Sequence, residues 1–116
     1  MKIITQRIYA GSPLKGYRVL VDRLWPRGIS KQTARLDGWW KDVAPSTMLR
    51  KWFDHDIDNW TEFRLRYWLE LEKNKNRAEE LMAEASAAQD QLVLLYGAKS
   101  ETCNHALVLK EFLDQL

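Results

Sequence analysis

Gly16-Tyr17-Arg18-Val19-Leu20-Val21-Asp22-Arg23-Leu24 decides the fold when it is set beside Leu92-Val93-Leu94-Leu95-Tyr96. In the first stretch Tyr17, Val19 and Val21 fall on one face of an extended chain, and Leu20 and Leu24 on the other. Apolar residues on both faces mark a central strand that is covered on both sides. The second stretch is an almost continuous apolar run, stopped by Gly97. Its length suits a buried strand better than a helix. Between the two lies a long segment of helical periodicity, the kind of crossover that parallel strands require.

Working outward, residues 2–7 have β character, and the turn-rich stretch Ala10 to Gly16 ends them. The loop 8–16 is too short for a helical crossover, so these first two strands, if paired directly, are expected to be antiparallel. Trp25-Pro26-Arg27-Gly28 is a break in regular structure. Residues 30–42 read as a short helical stretch with Trp39 and Trp40 facing inward. Ser46 follows Pro45 as an N-cap, and Leu49, Trp52 and Phe53 line the helix after it. Asn59 with Glu62, and Asn76 with Glu79, have capping-box spacing. Trp60, Phe63, Tyr67 and Leu71 form the apolar face of the first of these helices, which runs to about Glu72. Ala78, Leu81, Met82 and Ala85 form that of the second. A last helix is expected over residues 102–116, opening at Thr102, with Ala106, Leu109, Leu113 and Leu116 on one face. The order β, β, several helices, β, α predicts an α/β fold: a small, mostly parallel sheet packed with helices in a single domain.

The chain has 116 residues, 46% hydrophobic and 29% charged, which is globular rather than disordered composition. Cys103 is the only cysteine, so no disulfide framework argues for secretion. The N-terminal residues read as a strand rather than a leader, and no run approaches the ~20 apolar residues of a membrane helix. A cytoplasmic protein without a membrane partner is the simplest expectation. Charge is unevenly spread. Residues 1–52 hold eleven Lys or Arg against three acids, a balance of +8, and the remainder carries −6. Nine of the thirteen aromatics lie between Trp25 and Trp68. The first asymmetry attracts anions if the cations cluster on one face. The second supplies core, or else a stacking surface.

Ligands in open α/β sheets bind beyond the carboxyl ends of parallel strands. That rule selects the loop Asp22 to Gly28 and the loop Gly97 to Thr102. Arg23 and Arg27 offer planar forks for phosphate or carboxylate, and Lys99 adds a point charge. The helix start at Thr102 adds free N–H groups. The competing reading pairs Arg23 with Asp22 or Asp37 as a structural ion pair. Asp22 and His105 are the acid/base candidates, against a core or capping role for His105. Cys103 reads as an inert thiol, and His55 as solvated loop between Asp54 and Asp56. These residues lack metal-ligand spacing, and no nucleotide-binding glycine fingerprint or serine nucleophile elbow is present, so no metal or cofactor is expected. Three functional classes follow in order: a binder of a phosphorylated small molecule or nucleotide, a nucleic-acid-associated protein, and a small hydrolase or transferase using Asp22 or His105. Self-association through the aromatic and helical surface is a fourth, and oligomeric state is left open.

Three blocks, Gly16 to Gly28, Ala44 to Asp56 and Leu94 to Ala106, together resemble the YeaO-like proteins of domain-of-unknown-function family 488. The resemblance covers nearly the whole chain. It implies a small α/β protein, and its shared positions include Asp22, Arg23, Trp25, Arg27, Ser46, Arg50, Phe53, His55, Lys99, Asn104 and His105. It carries no settled reaction.

Overall fold

All four strands run in the same direction. A computed structural model describes residues 1–116. Strands β1 (Lys2–Arg7), β2 (Tyr17–Leu20), β3 (Gly38–Trp39) and β4 (Gln91–Tyr96) form one parallel sheet in the order β1-β4-β2-β3. Lys2 pairs with Gln91 and Arg7 with Tyr96 along one side of β4. Tyr17 pairs with Leu92 and Leu20 with Leu95 along the other. The first two strands are therefore not neighbours, and the antiparallel hairpin expected of a direct pair does not form. β4 takes the place between them because it is the most apolar strand, with Leu92 to Tyr96 buried throughout.

The pleat divides the core. Ile3, Val19, Val21, Leu92, Leu94 and Tyr96 point to one face. There they meet helices α2 (Thr47–Phe53), α3 (Trp60–Lys73), α4 (Lys75–Ala88) and α5 (His105–Asp114) through Leu49, Phe63, Tyr67, Leu71, Leu81 and Leu109. Leu20, Val93 and Leu95 point to the other face, which a thinner layer covers: Ala34 of the single-turn helix α1 (Lys31–Ala34), with Trp25, Ile29, Leu36 and Trp39. Each fully buried Leu or Val contributes ~1.5–3 kcal/mol relative to exposure, so the helical face dominates stability. No helix is long and apolar enough to cross a membrane.

Three boundaries differ from the sequence reading. Regular pairing of β2 stops at Leu20, and Leu24 is exposed beyond it. Residues 30–42 hold α1, then β3, then a 3₁₀ turn over Lys41–Val43, so Trp40 is buried from the end of a strand rather than from a helix. The last helix begins at His105, not Thr102. Asn104 is its cap, with Oδ1 accepting from Leu107 N–H at 3.1 Å and Nδ2 donating to the Ser100 carbonyl at 3.0 Å. Asn59 makes no side-chain cap, and Asn76 falls inside α4, where the preceding Asn74 makes no side-chain cap either.

Tyr67 sits at the centre of the helical face, fully buried, and its hydroxyl donates to the Val43 carbonyl at 2.6 Å. Burial, reinforced by Glu70 and Asp22, holds its pKa well above the usual 10.0. The stability this gives is complete below the unfolded tyrosine pKa and is lost as pH rises toward the folded one. Tyr67→Phe should cost about 1–2 kcal/mol at neutral pH. The gap between wild type and variant in urea midpoint should then narrow between about pH 9 and 11, because only wild type has this group to ionise on unfolding. A gap that stays constant across that range would contradict the assignment.

Candidate functional site

The chain segments that leave β1, β2 and β4 meet at one edge of the sheet, because parallel strands end together. They enclose a cavity of about 530 Å³ with α2 and the start of α5. Asp22 stands at its base. It stands two residues beyond β2, just after Val21, whose N–H still donates to the Leu95 carbonyl at 3.0 Å. Its backbone carbonyl accepts from Trp39 Nε1 at 2.7 Å, and its Oδ2 accepts from Gly97 N–H at 2.9 Å. Asp22 thus ties β3 to the loop after β4. A Cβ at Gly97 would lie 2.9 Å from Oδ2, so glycine is what lets the backbone come this close.

His105 completes the base. Its Nε2 lies 2.9 Å from Asp22 Oδ1 and 3.1 Å from the Val21 carbonyl. Both neighbours are acceptors, which places the ring hydrogen on Nε2. The Val21 carbonyl receives it. Asp22 Oδ1 is buried without a well-aligned hydrogen bond, so its contact with the ring is electrostatic. The imidazole meets Tyr67 edge to face, with ring centroids 6.2 Å apart.

Arg23 is fixed by carbonyls rather than carboxylates. Its Nε donates to Pro45 O at 3.0 Å and its Nη2 to Ala44 O at 3.3 Å. These bonds pin the entry of α2 to the sheet edge and leave the Nη1 hydrogens and one on Nη2 free. The competing pairing with Asp22 or Asp37 is not made: Asp22 turns to Gly97 and His105, and Asp37 accepts from Arg18 N–H at 2.8 Å. Helix α2 is held a second time by Glu70, whose carboxylate accepts from both the N–H and the hydroxyl of Ser46, at 2.8 and 2.6 Å. The same hydroxyl caps the helix by accepting from Leu49 N–H at 3.1 Å.

So anchored, α2 brings Arg50 and Lys51 to the cavity, both exposed. Asp54 and His55 follow in the left-handed region, φ 46° and 57°. Asp and His accept that conformation more readily than most residues. The turn directs the chain across the cavity mouth, where both residues contribute to the lining. Tyr9, Trp25, Phe53 and Phe63 supply aromatic surface, with Phe53 stacked on Phe63 at 4.4 Å between centroids.

Of the residues singled out in the sequence, Asp22, Arg23 and His105 lie together here. Lys99 lines a second, adjoining cavity of about 460 Å³. Arg27 is exposed outside both, its carbonyl accepting from the Tyr9 hydroxyl at 2.9 Å. Thr102 is also exposed and lines neither. Arg50, Lys51 and Tyr9 also line the larger cavity, and strand-end reasoning does not select them. They arrive from α2 and from the loop after β1, whose positions depend on tertiary docking.

A family model described as the inactive DUF488-N3 subclade matches residues 2–116. The chain belongs to the DUF488 family. The uncharacterized protein YeaO of Escherichia coli K12 is 45% identical over 118 residues, with the whole of both chains covered. Uncharacterized proteins of Mycobacterium tuberculosis and Mycobacterium bovis are 44% identical over 79 residues, or 67% of each chain. No solved structure matches. In this YeaO-like DUF488 protein the cavity draws on all three blocks that carry the resemblance: Asp22 and Arg23 from the first, Arg50 and His55 from the second, Gly97 and His105 from the third.

Proposed function

We propose that the cavity at the carboxyl edge of the sheet binds a phosphate-bearing small molecule, with a nucleotide as the leading class. The observation that carries this reading is the state of the cations. Arg23, Arg50 and Lys51 line the cavity, and none takes part in an ion pair. Arg23 in particular is oriented by two backbone carbonyls, which preorganises its fork without neutralising it. Aromatic walls beside such donors suit a ring attached to a phosphate. Binding without turnover is favoured because Asp22 and His105 are engaged with each other and with backbone groups. The description of the matching subclade as inactive supports the same choice. A concave site favours a small ligand over nucleic acid, and Arg7 and Arg18 of the basic half are turned to the carbonyls of Ala98, Leu14 and Ala34.

Thermal melting with inorganic phosphate, ribose 5-phosphate and nucleoside 5′-monophosphates tests the reading. A bound probe at a hundred times its Kd stabilises by about 2.7 kcal/mol. The double variant Arg50→Ala/Lys51→Ala removes exposed side chains that make no hydrogen bond or ion pair, and should weaken binding by roughly 10- to 100-fold. An unchanged melting temperature across the panel would refute the proposal, and so would equal affinity in the double variant.

A further inference from the structure

The geometry points to a ligand with two separated phosphates, held by the two adjoining cavities at once; this rests on the phosphate-binding reading above. The cavities share Phe53, His55, Gly97, Ala98 and Cys103. On the side of the β4–α5 loop the shared boundary is made by Gly97, Ala98 and Cys103, the first two of them small. Glycine has no side chain to stand between the two spaces, and alanine has a single methyl group. A larger residue at position 97 would have to displace the Asp22 carboxylate, since a Cβ there would lie 2.9 Å from Oδ2. At Gly97 and Ala98 the sill between the cavities is therefore low, and at Gly97 the Asp22 tie keeps it so.

Cations stand on both sides of that sill. Arg23, Arg50 and Lys51 belong to the larger cavity only, and Lys99 to the smaller only. Lys99 is exposed, makes no hydrogen bond through its ammonium group and joins no ion pair. Common to both spaces, Phe53 is backed by Phe63 and lies 6.5 Å from the His55 ring. A shared aromatic surface thus accompanies cations that belong to each cavity alone. A mononucleotide is accommodated by the larger cavity alone, which lies within the ordinary range for one small ligand. A monophosphate leaves Lys99 without a partner. A ligand with a phosphate at each end of a ring or sugar engages both ends of the trough. A nucleoside 3′,5′-bisphosphate has that form.

Calorimetric titration with adenosine 5′-monophosphate and adenosine 3′,5′-bisphosphate, on wild type, Lys99→Ala and the Arg50→Ala/Lys51→Ala double variant, decides the matter. The expected result is a bisphosphate bound about tenfold more tightly than the monophosphate. Lys99→Ala should abolish that advantage while leaving the monophosphate unchanged. Equal affinity for the two probes, or a Lys99→Ala variant that weakens both alike or neither, overturns the two-phosphate inference. If both probes still bind in that case, and both weaken in the double variant, single-phosphate binding stands. If neither probe binds wild type, the two-phosphate inference falls, and with it the nucleotide as the leading class of the reading above. Lys99 is exposed and makes no structural bond, so folding does not confound the comparison.

Discussion

Asp22→Ala should lower the melting temperature by roughly 10 °C, the larger part of it through one lost carboxylate. The substitution leaves the Gly97 N–H without its acceptor and His105 without its charged neighbour. Orphaning a partly buried donor costs about 1–3 kcal/mol, and His105 Nε2 loses its contact with the carboxylate as well. A total of about 3 kcal/mol, at about 4 °C per kcal/mol for a chain of this length, gives the shift. Asp22→Asn should recover about half. Its carbonyl oxygen can still accept from Gly97, but its amide then faces the Nε2–H of His105, donor against donor. Differential scanning calorimetry of the three proteins checks this. A melting temperature within about 2 °C of wild type for Asp22→Ala would show that the carboxylate is not holding the sheet edge together, and would return it to consideration as a catalytic group.

Gly16→Ala should cost as much, at the opposite end of β2. Gly16 has φ 142°, where side chains are strained, and a Cβ there would stand 2.6 Å from the Gln91 carbonyl oxygen. That oxygen belongs to the backbone of an inner strand, so it gives way only by moving strand backbone rather than a flexible side chain. Gln91 Nε2 also donates to Lys15 O at 2.6 Å, so the two chains are already clamped at this point. Strain and overlap together predict a loss of about 3 kcal/mol. Gly11→Ala is the control. Nothing lies within 4 Å of its added carbon, and the expected change is within about 0.5 kcal/mol. Urea unfolding midpoints separate the two. Similar midpoints for both variants would contradict the close approach of Gly16 to β4.

Local chemistry made some of this molecule legible in its sequence. β1 falls on residues 2–7 as read, and the apolar run at Leu92–Tyr96 is a buried parallel strand. The double-sided apolarity of Val19, Leu20 and Val21 reports correctly that β2 is covered on both faces. Pairing was harder, because which strand lies between which is decided by contacts some seventy residues apart in the chain. Trp39 and Trp40 were read as helical because a strand of two residues is too short to display a period. The start of α5 was misplaced because Ser100, Thr102 and Asn104 are all residues that cap helices. Ser100 instead accepts from Cys103 N–H within the loop, and Asn104 makes the cap. The strand-end rule selects the loops Asp22 to Gly28 and Gly97 to Thr102; Asp22 and Arg23 line the larger cavity and Lys99 the adjoining one, while Arg27 and Thr102 line neither. It could not place Arg50 and Lys51, since the position of α2 rests on Arg23 gripping Pro45 and Glu70 gripping Ser46, contacts with no local signature.

The sheet order also sets a timetable for assembly. β4 lies at the centre of the sheet yet is the last strand in the chain. Chains emerge from the ribosome amino end first. Until residue 96 has emerged, β1 and β2 have no strand between them, and the apolar faces of α2, α3 and α4 have only part of the surface that later covers them. The growing chain carries helices and loose strands until residues 91–114 bring in both the keystone strand and α5. Its exposure to premature association is greatest just before β4 joins the sheet.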